Sequence, residues 1–214
     1  PRIPRNQILF EGCYAHVFSR ATQKLHVLKD NQDFAVFKAI LAKAKTIGKF
    51  KLFHYCLMNT HFHLVVQVNE VNAFSTALKQ IKHRYFRWAE KKYEFDGPFW
   101  RGRFKSLLIE DESYLFACGS YVELNPVSAA MCQYPEQWPH SSATHYSGAI
   151  TDPLVDTYKS VPLPQGVSLE DHQLFTRGLI VGPYLNAAEK RKELIKIRRW
   201  RQKGDCPLLS MQNR

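Results

Sequence analysis

No two cysteines lie close together in this chain. Cys13, Cys56, Cys118, Cys132 and Cys206 are odd in number and widely spaced, and no Cys-x-x-Cys occurs. That pattern argues against a disulfide framework and a cysteine zinc cluster, and it fits a reducing cytoplasm. No stretch approaches the roughly 18 consecutive apolar residues of a membrane span, so no membrane partner is expected. Residues 1–7 are polar and lack the apolar segment of a signal peptide. Internal repeats and low-complexity tracts are absent as well. Acidic charge is scarce: 19 Asp and Glu stand against 30 Lys and Arg, a net charge of +11. That imbalance makes a polyanion the leading partner. Aromatic residues are plentiful at 13% and many sit near basic ones. Stacking surfaces beside phosphate partners are what single-stranded nucleic acid binding requires. At 214 residues the chain can form one full domain plus an appendage, with a core that needs no staples.

The stretch around which the rest is organised is His61-Phe62-His63, inside a run rich in branched and aromatic residues, 62–68. Such a run reads as a strand. On a strand, residues i and i+2 share a face. His61 and His63 therefore project side by side, and Phe62 and Leu64 turn to the other face. Two imidazoles so placed can grip one metal ion. Two polar residues on the wet face of a half-buried strand would look the same. A third ligand and a nucleophile elsewhere in the chain are needed to decide.

In chain order, 8–20 reads as a strand with Tyr14, His16 and Phe18 on one face. His16 there could approach an active site, but an ordinary core or surface histidine is the favoured reading. Asp30 or Asn31 caps a helix to about Ile47, with Phe34, Phe37, Ile40, Leu41 and Ala44 at helical spacing and Gly48 as its stop. Strands 50–58 and 62–68 follow, joined by the short Asn59-Thr60 turn of a hairpin. A second helix opens at Asn72 and runs to Tyr93. Its buried stripe is Phe74, Leu78, Ile81, Tyr85 and Trp88, and Lys79, Lys82 and Arg87 lie among the remaining positions. These charges suit either phosphate contact or a solvated face. After Gly97-Pro98, 99–110 reads as a strand whose one face carries Arg101, Arg103 and Lys105. That face would track a nucleic-acid backbone or guard a sheet edge. A third helix, 112–124, ends before Pro126. The order β-α-β-β-α-β, followed by this helix, predicts an α+β fold. It is a ferredoxin-like or RRM-like antiparallel sheet with helices on one face, plus a small helical C-terminal extension.

Tyr121 and Asn125 are four apart and so lie on one helix face. His61, His63 and the Asn125 amide oxygen can together hold a divalent ion with open positions, which would polarise a phosphate. Tyr121 can attack phosphorus and form a covalent ester. A phenolate is both a fair nucleophile and a fair leaving group, so the ester conserves the bond for religation. Taken alone, Tyr121 reads more readily as a structural tyrosine.

His-hydrophobic-His on a strand, then a helix, a basic strand and a helix bearing Tyr-x-x-x-Asn-Pro resembles the single-tyrosine HUH transposases. More narrowly it resembles the REP-associated tyrosine transposases. The matching segments are 14–20, 55–66, 99–104 and 121–127, with Trp138-Pro139-His140-Ser141-Ser142 similar to a Trp-Pro-x-Ser-Ser motif. The likeness covers about 5–145. It implies a transposase or endonuclease acting on single-stranded or hairpin DNA, such as repeat ends, through a 5′-phosphotyrosine. Tyr121 is then the nucleophile, His61, His63 and Asn125 the metal ligands, and magnesium or manganese the cofactor. Softness rules alone would have suggested zinc. The chain departs from the family in reading Asn59-Thr60 where Pro-Asn is usual, and in carrying Ser120 and Ser128 where arginine is frequent. A tyrosine from the same or a partner subunit is compatible with the motifs, which keeps a homodimer open.

The division expected is 1–134 for the nuclease domain and 135–214 for a linker or irregular wrap followed by basic helices. The last of these, 187–202, carries Arg198, Arg199 and Arg201 as further phosphate contacts. Two rivals remain at this stage. One is a nucleic-acid-binding module without catalysis. The other is a hydrolase that uses water, with Tyr121 structural.

Overall fold

The computed structural model describes residues 8–95, 97–109 and 112–156. The basic C-terminal helices expected from the sequence, with Arg198, Arg199 and Arg201, fall outside the described residues.

Four strands form one antiparallel sheet: β1 (Tyr14–Arg20), β2 (Phe50–Leu57), β3 (His61–Val68) and β4 (Lys105–Ile109), in the order β2-β3-β1-β4. Helices α1 (Asn31–Ile47) and α2 (Val71–Tyr93) cross over one face. This is the expected split β-α-β arrangement, and β1 and β3, the two central strands, carry the chemistry. Period-2 alternation separates the faces. Ala15, Val17, Phe62, Leu64 and Val66 are all buried beneath α1 and α2. His16, Phe18, His61 and His63 point the other way. The seventh element, α3 (Glu112–Glu123), covers part of that second face through Leu115, Cys118 and Val122, which pack on Phe53, Cys56 and Val65.

Each element has a local cause. Asp30 caps α1 by accepting from the Asp33 backbone, and the Asp33 side chain accepts in return from the Asp30 N–H. Gly48 follows α1 as expected, but its φ of −81° is ordinary. What requires glycine is space: a Cβ would lie 2.6 Å from the Ala77 Cβ, so Gly48 lets α1 and α2 approach. The left-handed residue is Lys49. Helix α2 starts at Val71, with Glu70 rather than Asn72 outside it and no side-chain cap.

Two strand expectations are corrected. The first strand begins at Tyr14, not Ile8, because the chain turns at Gly12 (φ +83°). The strand expected over 99–110 is confined to Lys105–Ile109. Residues 99–104 form a loop that bends at Gly102 (φ +69°). The Lys82 ammonium donates to the Gly102 carbonyl, and Arg101 N donates to Arg20 O at 2.8 Å. Arg101 and Arg103 are therefore exposed loop residues, and the single basic face of three does not form.

The stretch 135–156 wraps the outer edge of β2. The Trp138 indole N–H donates to Leu57 O at 2.9 Å, and Leu57 N donates to His140 O at 2.9 Å. Ser142 N donates to Tyr55 O, and Tyr55 N donates to Ser142 Oγ at 3.0 Å. An edge strand otherwise presents unpaired backbone to other chains. Trp138 to Ser142 removes that exposure. Two helical turns, α4 (Asn125–Ser128) and α5 (Ala143–Tyr146), flank this wrap.

Candidate metal and tyrosine site

The site lies on the second sheet face, where the C-terminal half of α3 approaches the centre of the sheet. β3 presents His61 and His63 on one face, as its period requires. The register of β1 against β3 sets Phe18 opposite His63 and Arg20 opposite His61. His16 falls one pair further along, on the same face, and its Nε2 lies 2.8 Å from His63 Nδ1. The His61 Nδ1 is held by the Thr60 hydroxyl at 2.9 Å. Each histidine of the pair therefore has Nδ1 engaged by a neighbour. When Nδ1 donates in that bond, Nε2 carries the lone pair, the form a metal ligand needs. The His63 Nε2 is buried and has no hydrogen-bond partner. A buried polar atom left so is uncommon and calls for an explanation.

The electrostatics keep these rings neutral. Burial pushes the His63 pKa down to about 2, and the neighbouring His16, His61 and Arg20 add to the effect. Burial alone lowers His16 to about 4. His61 is lowered by burial first and by the Arg20 charge second, while Asn125 works in the opposite direction. The Asn125 amide nitrogen donates to Tyr121 O at 2.9 Å and Val122 O at 3.1 Å, which fixes the orientation of the amide.

Tyr121 is 40% exposed on α3. Its ring centroid lies 5.9 Å from that of His63 and 6.0 Å from that of His16, edge-on to both. The helix is seated by a buried network. His54 Nδ1 bonds Glu123 Oε1 at 2.7 Å, and the Ser142 hydroxyl donates to the same oxygen at 2.7 Å. Gly119 makes the approach possible, since a Cβ there would lie 2.3 Å from the His54 ring. The Trp-Pro-x-Ser-Ser stretch thus ties β2 to the helix that bears the tyrosine.

The four residues singled out in sequence, His61, His63, Tyr121 and Asn125, are brought together. Among the described residues no group of three or more His, Cys, Asp or Glu side chains is disposed to hold a metal ion. Two imidazoles, one of them with a buried and partnerless Nε2, and the Asn125 amide beside them are donor types that suit a divalent ion. The expected basic residues divide. Lys105 stands at the site, 5.8 Å from the Phe18 ring centroid, and that ring stacks on His63 at 5.5 Å. Lys79 and Lys82 lie on α2, on the opposite side of the sheet. Arg87 pairs with Glu90 at 2.8 Å. The sequence offered His16 as a residue that could approach the site, though an ordinary role was favoured for it, and it did not mark Thr60 or Arg20 as orienting groups. The one signal available was that His16 shares a strand face with Phe18.

Residues 10–125 match the family described as "Transposase IS200 like". The chain belongs to the IS200-like transposase family. The resemblance carried by its motifs is therefore borne out. Among solved structures, the REP-associated tyrosine transposase bound to a REP hairpin shares the fold of this IS200-like transposase. The TM-score is 0.57 at 16% identity, over 74% of this chain and 93% of that one. A candidate transposase from Deinococcus radiodurans R1 aligns at TM-score 0.40 and 17% identity, over 54% and 92%. A bacterial tRNA(His) guanylyltransferase-like protein with GTP aligns at 0.35 and 12%, over 57% and 70%. No curated protein sequence matches the chain. No helix among the described residues is long and apolar enough to cross a membrane.

Proposed function

We propose that this IS200-like transposase is a metal-dependent endonuclease and strand transferase for single-stranded DNA, with Tyr121 as nucleophile. One observation carries the reading. A buried His63 and a half-buried His61, both kept neutral, have their Nδ1 atoms engaged, the Nε2 of His63 lacks any partner, and a half-exposed tyrosine stands edge-on beside them.

His61, His63 and Asn125 would hold magnesium or manganese, which when bound supplies Lewis-acid polarisation of a phosphate oxygen. The Tyr121 phenol oxygen attacks phosphorus and its proton passes to solvent. A tyrosine–phosphate ester forms, the bond to the 3′ oxygen breaks, and that oxygen leaves as a 3′-hydroxyl after taking up a proton. Reversal by a different 3′-hydroxyl rejoins the strand and releases the tyrosine. His16 and Thr60 hold the two rings in orientation, and Arg20 and Lys105 supply positive charge for the DNA backbone. Hairpin DNA, the partner in the related REP-associated structure, is the substrate proposed here.

The test is a denaturing gel of protein mixed with single-stranded or hairpin DNA and manganese. A protein band retarded by covalently attached DNA is expected. Cleaved DNA without that band would mean that water is the nucleophile. Binding without cleavage would leave a nucleic-acid-binding module.

A further inference from the structure

Behind the sheet, on the side away from the histidines, α2 and the 97–104 loop enclose an open cleft of about 440 Å³. Its walls are aromatic, from Phe86, Trp100 and Phe104, and its rim is basic, from Lys79, Lys82 and Arg103. No carboxylate is among the described residues that line it. The Lys82 ammonium lies 5.5 Å from the Trp100 ring centroid and 5.2 Å from that of Phe104. Phe86 and Trp100 are half-buried and Phe104 is buried, so the aromatic surface open to a ligand comes from the first two. The volume falls in the range of small-molecule sites and is ample for one nucleobase.

We propose that this cleft takes an unpaired base of single-stranded DNA, stacked on the aromatic walls, with its flanking phosphates against Lys79 and Arg103. The proposal rests on the DNA-processing reading above and adds a second contact region to it. A base has an apolar π face and an anionic backbone on either side, and the cleft offers the complement of both. The loop of the cleft is also tied to the end of β1. Trp100 forms a β-bridge with Ala21, and Arg101 N donates to Arg20 O at 2.8 Å. Arg20 in turn sits opposite His61. The loop that walls the cleft is thus joined through its backbone to the end of β1 that carries Arg20.

The experiment uses the full chain and two fluorescently labelled probes, a ten-nucleotide oligothymidine and a ten-unit abasic backbone of the same charge. Anisotropy titrations give the affinity of each. Base stacking on an aromatic platform predicts that the wild type prefers the thymidine probe by about tenfold. Phe86→Leu keeps the apolar volume and removes the ring. It should lose most of that preference while binding the abasic probe as the wild type does. Lys79→Ala and Arg103→Ala, both at the surface, should weaken both probes alike. Each should flatten the slope of log affinity against log salt by roughly 0.7. Circular dichroism melting confirms that each variant is folded. A thymidine preference unchanged in Phe86→Leu, with an unchanged salt slope in the rim variants, overturns the cleft and leaves the tyrosine chemistry standing. Failure of the wild type to bind either probe overturns the DNA reading itself, and the cleft with it.

Discussion

The two faces of the sheet differ in kind. Under α1 and α2 the buried residues are almost all aliphatic or aromatic, with Phe37, Phe62, Leu64, Phe74 and Tyr85 at their centre. Under α3 the buried residues include His16, His54, His63, Ser120, Glu123, Ser141 and Ser142. The first face is held by burial, at roughly 1.5–3 kcal/mol for each large apolar side chain. The second is held by directed bonds, and a directed network fixes orientation more closely than a greasy contact does. The strands serve both at once because alternate residues belong to opposite faces. One face stabilises the sheet, and the other can carry buried polar groups that would be costly in a core without partners.

That contrast can be broken most sharply at Tyr121. Tyr121→Phe removes one oxygen from a half-exposed ring. Adduct formation should fall by a factor of about 10⁴ or more, as for loss of a principal catalytic group, with single-strand affinity and melting temperature unchanged. A gel for the adduct and a melting curve measure the two sides. His61→Ala should likewise remove metal-dependent cleavage, and full activity in that variant would count against the site.

On the apolar face the effect should run the other way. Phe62 lies between the two histidines in sequence, yet it packs against Phe37, Trp100 and Phe104. Phe62→Ala should cost about 3–5 kcal/mol of stability in denaturant unfolding. The fraction still folded should keep the metal affinity of the wild type.

A smaller effect should come from the groups that hold the rings. Thr60→Val removes the hydroxyl at His61 Nδ1 but keeps the shape. It should weaken manganese binding by about 10- to 100-fold, the usual consequence of losing such a partner. Calorimetric titration with manganese alone reads this without any DNA. Thr60→Ser should restore most of the loss.

The smallest prediction concerns pH. His140, stacked on Phe34 with ring centroids 3.6 Å apart, has its pKa pushed down to about 4 by burial and by the Lys38 charge. In the unfolded chain it titrates near 6.5. The unfolded state therefore binds a proton between those values and the folded state does not. Stability from this residue is present above about 6.5 and is lost as pH falls to about 4. His140→Phe keeps the stack and should make the fall in melting temperature over that window shallower.

The site was more legible than the loop beside it. His61 and His63 were readable because two residues apart on a strand share a face, and Tyr121 with Asn125 because four apart on a helix do. The orienting groups were not. His16 bonds a residue 47 positions away, and nothing in its own neighbourhood marks that contact. The 99–104 stretch has alternating arginines and resembles a strand, but Gly102 takes a left-handed bend and Lys82 of another element holds its carbonyl. Gly48 looked like a helix stop, and its reason proved to be Ala77 on the facing helix.

The sequence by itself determined what covalent geometry dictates over a few residues, which side chains share a face of a strand or a helix, together with the excess of positive charge and the wide spacing of the cysteines. These follow from fixed rises and rotations per residue, and they hold wherever the element ends up. Only the tertiary structure decided which strand face α3 would cover, that His16 would meet His63, and that Trp138 to Ser142 would seal the edge of β2 and anchor the helix of Tyr121. Such pairings close loops of tens of residues, and each is selected by the sum of many weak contacts across the whole fold.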